Sequence, residues 1–588
     1  MSTEPARLRL VRTLLPRLTR FREIGLLLVA AATGVLAGLV VTAMGWFTHA
    51  AHVRLYGVAE GSRLSAQSAL ATPLLALIPA AGGVVIGLSA LAARHLLARP
   101  PVDPIEANAL HGGRMGLGES LFVAGQTVVS SGCGASVGLE AGYTQASAAL
   151  ASKLGGFLEL RRSEVRMLVG CGAAGAISAA FGAPITGAFY AFELIIGTYT
   201  VALVAPVMAA SVAASLTAAW LGAVGTPVTV GAIPAMTAHD LLPFLALGVV
   251  GGLAAVALMQ LVTAVERGFS ALRCPPVLRP ALGGLVVGGL ALWSPEVLSS
   301  GHGALHIELG AEQPWTLLAL LFGLKALASA VSLGAGFRGG LFFASLFLGA
   351  LLGKLFAAAL VGVGAAAGVV PVVAAVVGMA SMAVGVVGGP MTMTFLVLET
   401  TGDLAISVAV LAVSIMSAVV VRETFGYSFS TWRLHLRGET IRSAHDVGWM
   451  RNLTVGSMMR ADVRTVPLGA TIAAFRAAYP LGAAQRVIAI DPEGRYAGIV
   501  IVADAHAAAA PAADATIGAL VRYRDAILLP SMSAEDAARL FEIEKSEELA
   551  VVDGRATLRV VGLLTEPHLL RRYAEELDKA RRDLAGER

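Results

Sequence analysis

The chain has 588 residues, 56% of them hydrophobic and only 14% charged, with a formal net charge of +4. A water-soluble chain of this length would divide into several domains carrying more surface charge, so that class is excluded. The small positive balance points to no nucleic-acid partner, and the three cysteines, Cys133, Cys171 and Cys274, have no metal spacing and imply no disulfide framework.

Residues 7–22, RLRLVRTLLPRLTRFR, carry six arginines and predict a basic amphipathic N-terminal helix over residues 1–23. The segment is no secretory signal, because the apolar run that starts at Ile24 is long enough to span a bilayer. By the positive-inside rule, these arginines place the N-terminus in the cytoplasm. Apolar runs then follow one another to Val421 and predict a polytopic helical membrane domain over 24–437. A linker (438–454), a soluble domain (455–570) and a charged C-terminal helix (571–588) follow.

Within the membrane part, PPVDPIEANAL (100–110) predicts a turn that enters a helix at Ile105. SSGCGASVGLEAGYTQ, Ser130 to Gln145, sets one carboxylate, Glu140, in a Gly-, Ala- and Ser-rich run whose nearest charges are Glu119 and Lys153. HGALHIE, His302 to Glu308, has two histidines at i, i+4. Metal ligation would need a helix, and flanking Gly301 and Gly303 predict a polar extramembrane loop, so no metal site is expected. Lys325 and Arg338 lie near a second Gly-rich segment. One of them could face a polar path, although a lysine snorkelling at a helix end is commoner.

Two pairs of segments repeat. GAPITGAFYAFE from Gly182 and GGPMTMTFLVLE from Gly388 match at an offset of 206, including Pro184/Pro390, Thr186/Thr392 and Glu193/Glu399. GCGASVGLEAG from Gly132 and GAGFRGGLFFA from Gly334 match at 202, including Gly138/Gly340. Together they predict a duplicated domain with halves near 24–220 and 240–430. Duplicated halves belong to transporters and channels that hold their site where the halves meet. The repeated Gly-rich turns predict broken helices whose N-termini attract anions. Tight helix packing is the alternative use of such glycines.

These segments resemble the CLC family of chloride channels and anion/proton antiporters. GLEAG (Gly138 to Gly142) is similar to the family's gating-glutamate motif and GGLFFAS (Gly339 to Ser345) to its G-x-F-x-P segment. The resemblance implies two inverted-topology repeats, a homodimer and one anion pathway per subunit. It implies that Glu140 is a tethered anion that blocks the path when ionised and opens it when protonated or displaced. Backbone amides of Gly138, Leu139, Glu140, Ala141 and Gly142, and of Gly340, Leu341, Phe342 and Phe343, would hold chloride, nitrate or another small anion.

The chain departs from the family pattern at several of these positions. Leu139 replaces a basic residue, and Ala344 replaces a proline. Pro101 stands where the family has an anion-coordinating serine, and proline offers neither hydroxyl nor N–H. Nitrate-preferring members carry proline there. Leu194 stands at the proton-relay position of the antiporters, which favours passive conduction, or an antiporter with another proton route. The pore tyrosine is matched either by Tyr427 or, by spacing to Gly438, by Ser430.

Residues 455–570 repeat a strand–turn–strand unit, VIAIDPEGRYAGIVIVADAH and LAVVDGRATLRVVGLLTEPHL, each after an amphipathic helix. This resembles a cytoplasmic pair of CBS modules. The nucleotide pattern is half complete in each: Gly498 and Asp504 with Ile501 at the hydroxyl position, then Gly562 and Thr565 with His568 at the acid. An adenine nucleotide bound here and a purely structural or dimerising role both stay open. No other cofactor is expected. No nucleophile–base set appears in the membrane part, so an enzyme is not expected. The rival of another class is a nucleotide-sensing membrane protein that conducts little.

Overall fold

The structure, a computed structural model, describes residues 22–97, 99–222, 241–362, 364, 369–438, 453–507 and 510–585. Most of the predicted N-terminal helix (1–23) and linker (438–454) lie outside the described residues. The chain divides into two compact units, Met1–Asp446 and Val447–Arg588.

Among the described residues, the regular elements of the first unit are all helices. Among the described residues, eight helices are long and apolar enough to cross a bilayer. The longest are α1 (Arg22–Tyr56), kept continuous by Leu, Val and Ala, and α9 (Leu241–Ala271). α2 is Ile78–Leu96, and the short α3 (Pro104–Leu110) starts behind an Asp103 cap. The first half continues with α4 (Leu117–Gly132), α5 (Glu140–Phe157) and α6 (Arg162–Phe181). It ends with α7 (Pro184–Tyr190), which runs on into a wider π turn to Ile196, and α8 (Val201–Trp220). After α9, the second half comprises α10 (Arg279–Ala291), α11 (His302–Gly310), α12 (Trp315–Ala335), α13 (Phe342–Gly362) and α14 (Pro371–Val387). α15 (Pro390–Thr401), α16 (Leu404–Thr424) and α17 (Phe429–Leu436) follow. Proline opens α7, α14 and α15 at a position that needs no donor.

The sequence repeat is built into the packing. Glu193 accepts from Met391 N (2.9 Å), Thr392 N (2.8 Å) and Thr392 Oγ1 (2.6 Å), at the start of α15. Its twin Glu399 accepts from Ile185 N (2.8 Å), Thr186 N (2.8 Å) and Thr186 Oγ1 (2.7 Å), at the start of α7. Phe189 stacks on its own twin Phe395, with ring centroids 4.2 Å apart. Each half thus caps a helix of the other with a carboxylate, which suits both the orphan amides and the helix dipole.

Two local expectations are corrected. HGALHIE is a helix, not a loop: Gly301, at φ +91°, caps α11 in the left-handed region that glycine adopts freely. Gly303, Ala304, Leu305, Glu308 and Leu309 are buried, and the His302 ring stacks on Phe343. Among the described residues, no group of three or more His, Cys, Asp or Glu is placed to hold a metal ion. Lys325 does not snorkel either. It is fully buried in the middle of α12 and donates to Val297 O (3.1 Å) and Ser299 O (2.9 Å), two carbonyls of the turn before α11.

The second unit holds two modules of one topology. In the first, β1 (Thr465–Pro467) pairs parallel with β2 (Arg486–Ile490) across the helix Ile472–Ala478. β2 pairs antiparallel with β3 (Tyr496–Ile501), and β3 with β4 (Val521–Arg522). The second repeats this with β5 (Ile527–Leu528) parallel to β6 (Glu548–Val552) across the helix Ala534–Glu544, and β7 (Val560–Thr565) antiparallel to β6. A helix, Glu566–Ala585, ends the described chain.

Candidate functional site

The two Gly-rich turns meet inside the membrane unit. Gly138 donates to Gly340 O (2.9 Å) and Gly340 donates to Gly138 O (3.1 Å). These are equivalent positions of the two halves, so the turns pair with each other as a two-bond bridge. Two residues beyond each glycine a helix starts, α5 at Glu140 and α13 at Phe342. Two helix N-termini, each with a partial positive charge, are thereby brought together.

The bridge corrects one expectation. The amides of Gly138 and Gly340 are spent on each other and are not free for an anion. Those that precede the first intrahelical bonds belong to Leu139–Gly142 and Leu341–Ala344. The bonds themselves begin with Tyr143 N to Leu139 O (2.9 Å) and Ser345 N to Leu341 O (2.8 Å).

Glu140 is 4% exposed, and its Oε2 has no hydrogen-bond partner. Its carboxylate folds back over its own amide and over Gly138; a Cβ at 138 would lie 1.9 Å from Oε2. Glycine here is therefore required by the position of the carboxylate.

Glu140 sits in the wall of a cavity of about 200 Å³. Pro101, Ala141, Leu194, Gly340, Leu341 and Phe342 share that wall, so the structure brings together most of the residues singled out in the sequence. Gly138, Leu139, Gly142 and Phe343 are not among the residues that line it. Tyr427 is not on it: its ring lies against His435 (4.7 Å between centroids) and Trp432 (5.5 Å). Ser430 lines the cavity instead, as the spacing to Gly438 favours.

Of the two cations that the sequence placed near the second Gly-rich segment, Arg338 is in this wall. Other wall residues were missed by sequence reasoning: Arg433 and Arg437 contribute guanidiniums and Asp103 a second carboxylate, while Tyr190 and Thr144 add hydroxyls. Three cations against two carboxylates give the lining a positive balance that favours anions. This offsets the missing base at Leu139. The i, i+4 spacing of Arg433 and Arg437 at the end of the unit's last helix is the signal that could have found them; Asp103 was hidden in a Pro-rich turn.

In the second unit, Asp504 is ion-paired to Arg522 (2.7 Å), and Thr565 Oγ1 accepts from His568 N (3.4 Å) at the start of the last helix.

Residues 98–422 match the voltage gated chloride channel family. A ClcB-like chloride channel protein of Ralstonia nicotianae is 32% identical over 330 residues, 55% of this chain and 77% of that protein. The voltage-gated ClC-type chloride channel ClcB of Escherichia coli (strain SMS-3-5 / SECEC) is 30% identical over 411 residues, 67% of this chain and 95% of that protein. Among solved structures, a slow cyanobacterial Cl-/H+ antiporter has the same fold at a TM-score of 0.61 and 20% identity, covering 70% of this chain and 97% of that one. A eukaryotic CLC transporter, at 0.57 and 18% identity, covers 92% of this chain and 97% of that one.

Proposed function

Because the chain belongs to the voltage gated chloride channel family, we propose that it moves small monovalent anions through the cavity beside Glu140, with that carboxylate as the gate. The observation that carries this is the unpartnered, buried carboxylate oxygen of Glu140 at the junction of two helix N-termini, in a wall that also presents three guanidiniums. An ionised Glu140 competes with an anion for the same amides and positive field. Protonation removes the competitor, and the side chain yields its place.

Pro101 withholds both a hydroxyl and an N–H from this wall, so discrimination in favour of chloride is weak and nitrate is accepted at least as well. Leu194 carries no proton, and on that ground passive conduction is the first reading. Proton-coupled exchange is the second, favoured by one specific observation: Asp103 and Tyr190 line the same cavity as Glu140. A homodimer, with the N-terminus and the C-terminal modules in the cytoplasm, follows from the family likeness and the arginine-rich start. For the C-terminal modules, Ile501 at the hydroxyl position and Arg522 on Asp504 favour a structural role over adenine-nucleotide binding.

The test is anion efflux from proteoliposomes under chloride and then nitrate gradients, at pH 4.5 to 7.5, for the parent chain and Glu140→Ala. Efflux that is pH-dependent in the parent and pH-independent in the variant supports the gate. Absence of efflux under every condition would favour the sensor reading.

A further inference from the structure

We propose that Asp103 is the inner proton-exchanging carboxylate of this chain, reached from Glu140 through the hydroxyl of Tyr190. The proposal rests on Glu140 being the gate and develops the proton-coupled reading.

Three observations carry it. The position where a relay carboxylate would be expected is Leu194, a cavity-wall residue with nothing to protonate. The same wall holds one carboxylate besides Glu140, namely Asp103, at the cap of α3. The same wall holds Tyr190, at the end of α7. It lines the same cavity as both carboxylates and as Thr144, which lies one turn into the helix that Glu140 opens. The 200 Å³ of the cavity leaves room for several waters, at roughly 30 Å³ each, to complete the chain.

Helix capping alone gives Asp103 a role, since Oδ1 accepts from Ile105 N (2.8 Å). Capping, however, is served as well by asparagine or serine, and it does not require a carboxylate in a cavity wall. The charged and titratable groups around Asp103 are Glu106 on its own helix, Arg437 and Arg433 at the end of the unit, Tyr190 on α7, Glu140 on α5 and Arg338 before α13. Arg166 of α6 meets α3 through its backbone carbonyl, which accepts from Asn108 (3.1 Å). Arg338, Arg433 and Arg437 line the same cavity as Asp103.

The step balances as a relay. The O–H of protonated Asp103 breaks as a bond forms to Tyr190 Oη or to a water beside it. The proton that Tyr190 held passes on, through a water, to Glu140. Asp103 ends one proton poorer, Glu140 one richer, and the hydroxyl is restored.

The test measures proton and anion flux together in proteoliposomes and reads their ratio. In the parent chain protons move against the anion gradient at a fixed ratio. Asp103→Asn keeps the cap and lowers the ratio at least tenfold, while Asp103→Glu restores it. Tyr190→Phe lowers it several-fold. Leu194→Glu in the Asp103→Asn background brings proton movement back, which a merely structural effect of Asp103 would not allow. A parent that moves no protons, or an Asp103→Asn variant with an unchanged ratio, overturns the proposal. Failure of the gate is separable: Glu140→Gln would then leave the pH dependence of anion flux as it is.

Discussion

Gly138→Ala is the most direct geometric probe of where the Glu140 carboxylate rests. A Cβ at 138 would lie 1.9 Å from Glu140 Oε2 and 2.9 Å from its Cδ. Ordinary contact is about 3.5 Å, so the carboxylate must retreat by roughly 1.5 Å. The obstacle is the far end of a flexible side chain, while the Gly138–Gly340 bridge uses backbone atoms that alanine keeps. The cost therefore falls on the resting position of the gate and not on the fold. Taking about 1–3 kcal/mol for a clash of this size, the equilibrium moves toward the displaced carboxylate by about 5- to 150-fold, at about 1.4 kcal/mol per tenfold. Efflux at neutral pH should rise toward the level of the parent at acid pH, and the pH dependence should flatten. The melting temperature in detergent should change little. If Gly138→Ala keeps the parent's pH profile, the carboxylate does not gate from this position and the reasoning fails.

Three further outcomes are expected. Glu193→Ala strands two amides and a threonine hydroxyl at the start of α15, which costs at least about 3 kcal/mol; a melting temperature equal to the parent's would contradict the cross-capping role. Arg433→Ala removes one cation from the cavity wall and should lower efflux about 3- to 10-fold at 10 mM salt, with the deficit shrinking at 500 mM as the field is screened; a deficit independent of salt would argue for lost packing instead. ATP at millimolar concentration should leave the thermal unfolding of the full chain unchanged. A tight nucleotide would instead add about 2.7 kcal/mol at a hundredfold excess over its Kd.

The duplication was legible because it repeats in residue types that have few substitutes. A helix opened by proline and closed on a partner by a carboxylate needs Pro184, Thr186 and Glu193 as much as Pro390, Thr392 and Glu399. Glu140 stood out for the same reason, as a lone charge in a glycine-rich run. Residues whose meaning depends on distant partners were not legible. Lys325 looked like a snorkelling side chain because nothing local shows that the carbonyls of Val297 and Ser299 reach it. Gly301 reads as a loop breaker until the helix that it caps is seen. Gly138 and Gly340 were expected to offer amides to an anion, whereas each is the other's partner, a pairing that only the meeting of the halves creates. The positive lining came from the far end of the unit, Arg433 and Arg437, more than 290 positions after Glu140.

The central claim is that Glu140 is the moving gate of an anion path. Chloride and nitrate efflux should be measured from proteoliposomes containing the parent chain, Glu140→Gln or Glu140→Ala, at pH 4.5 and pH 7.5. The account predicts parent efflux that rises as pH falls, and variants whose efflux is the same at both values and no lower than the parent's at pH 4.5. Variants that keep the parent's pH dependence would contradict it.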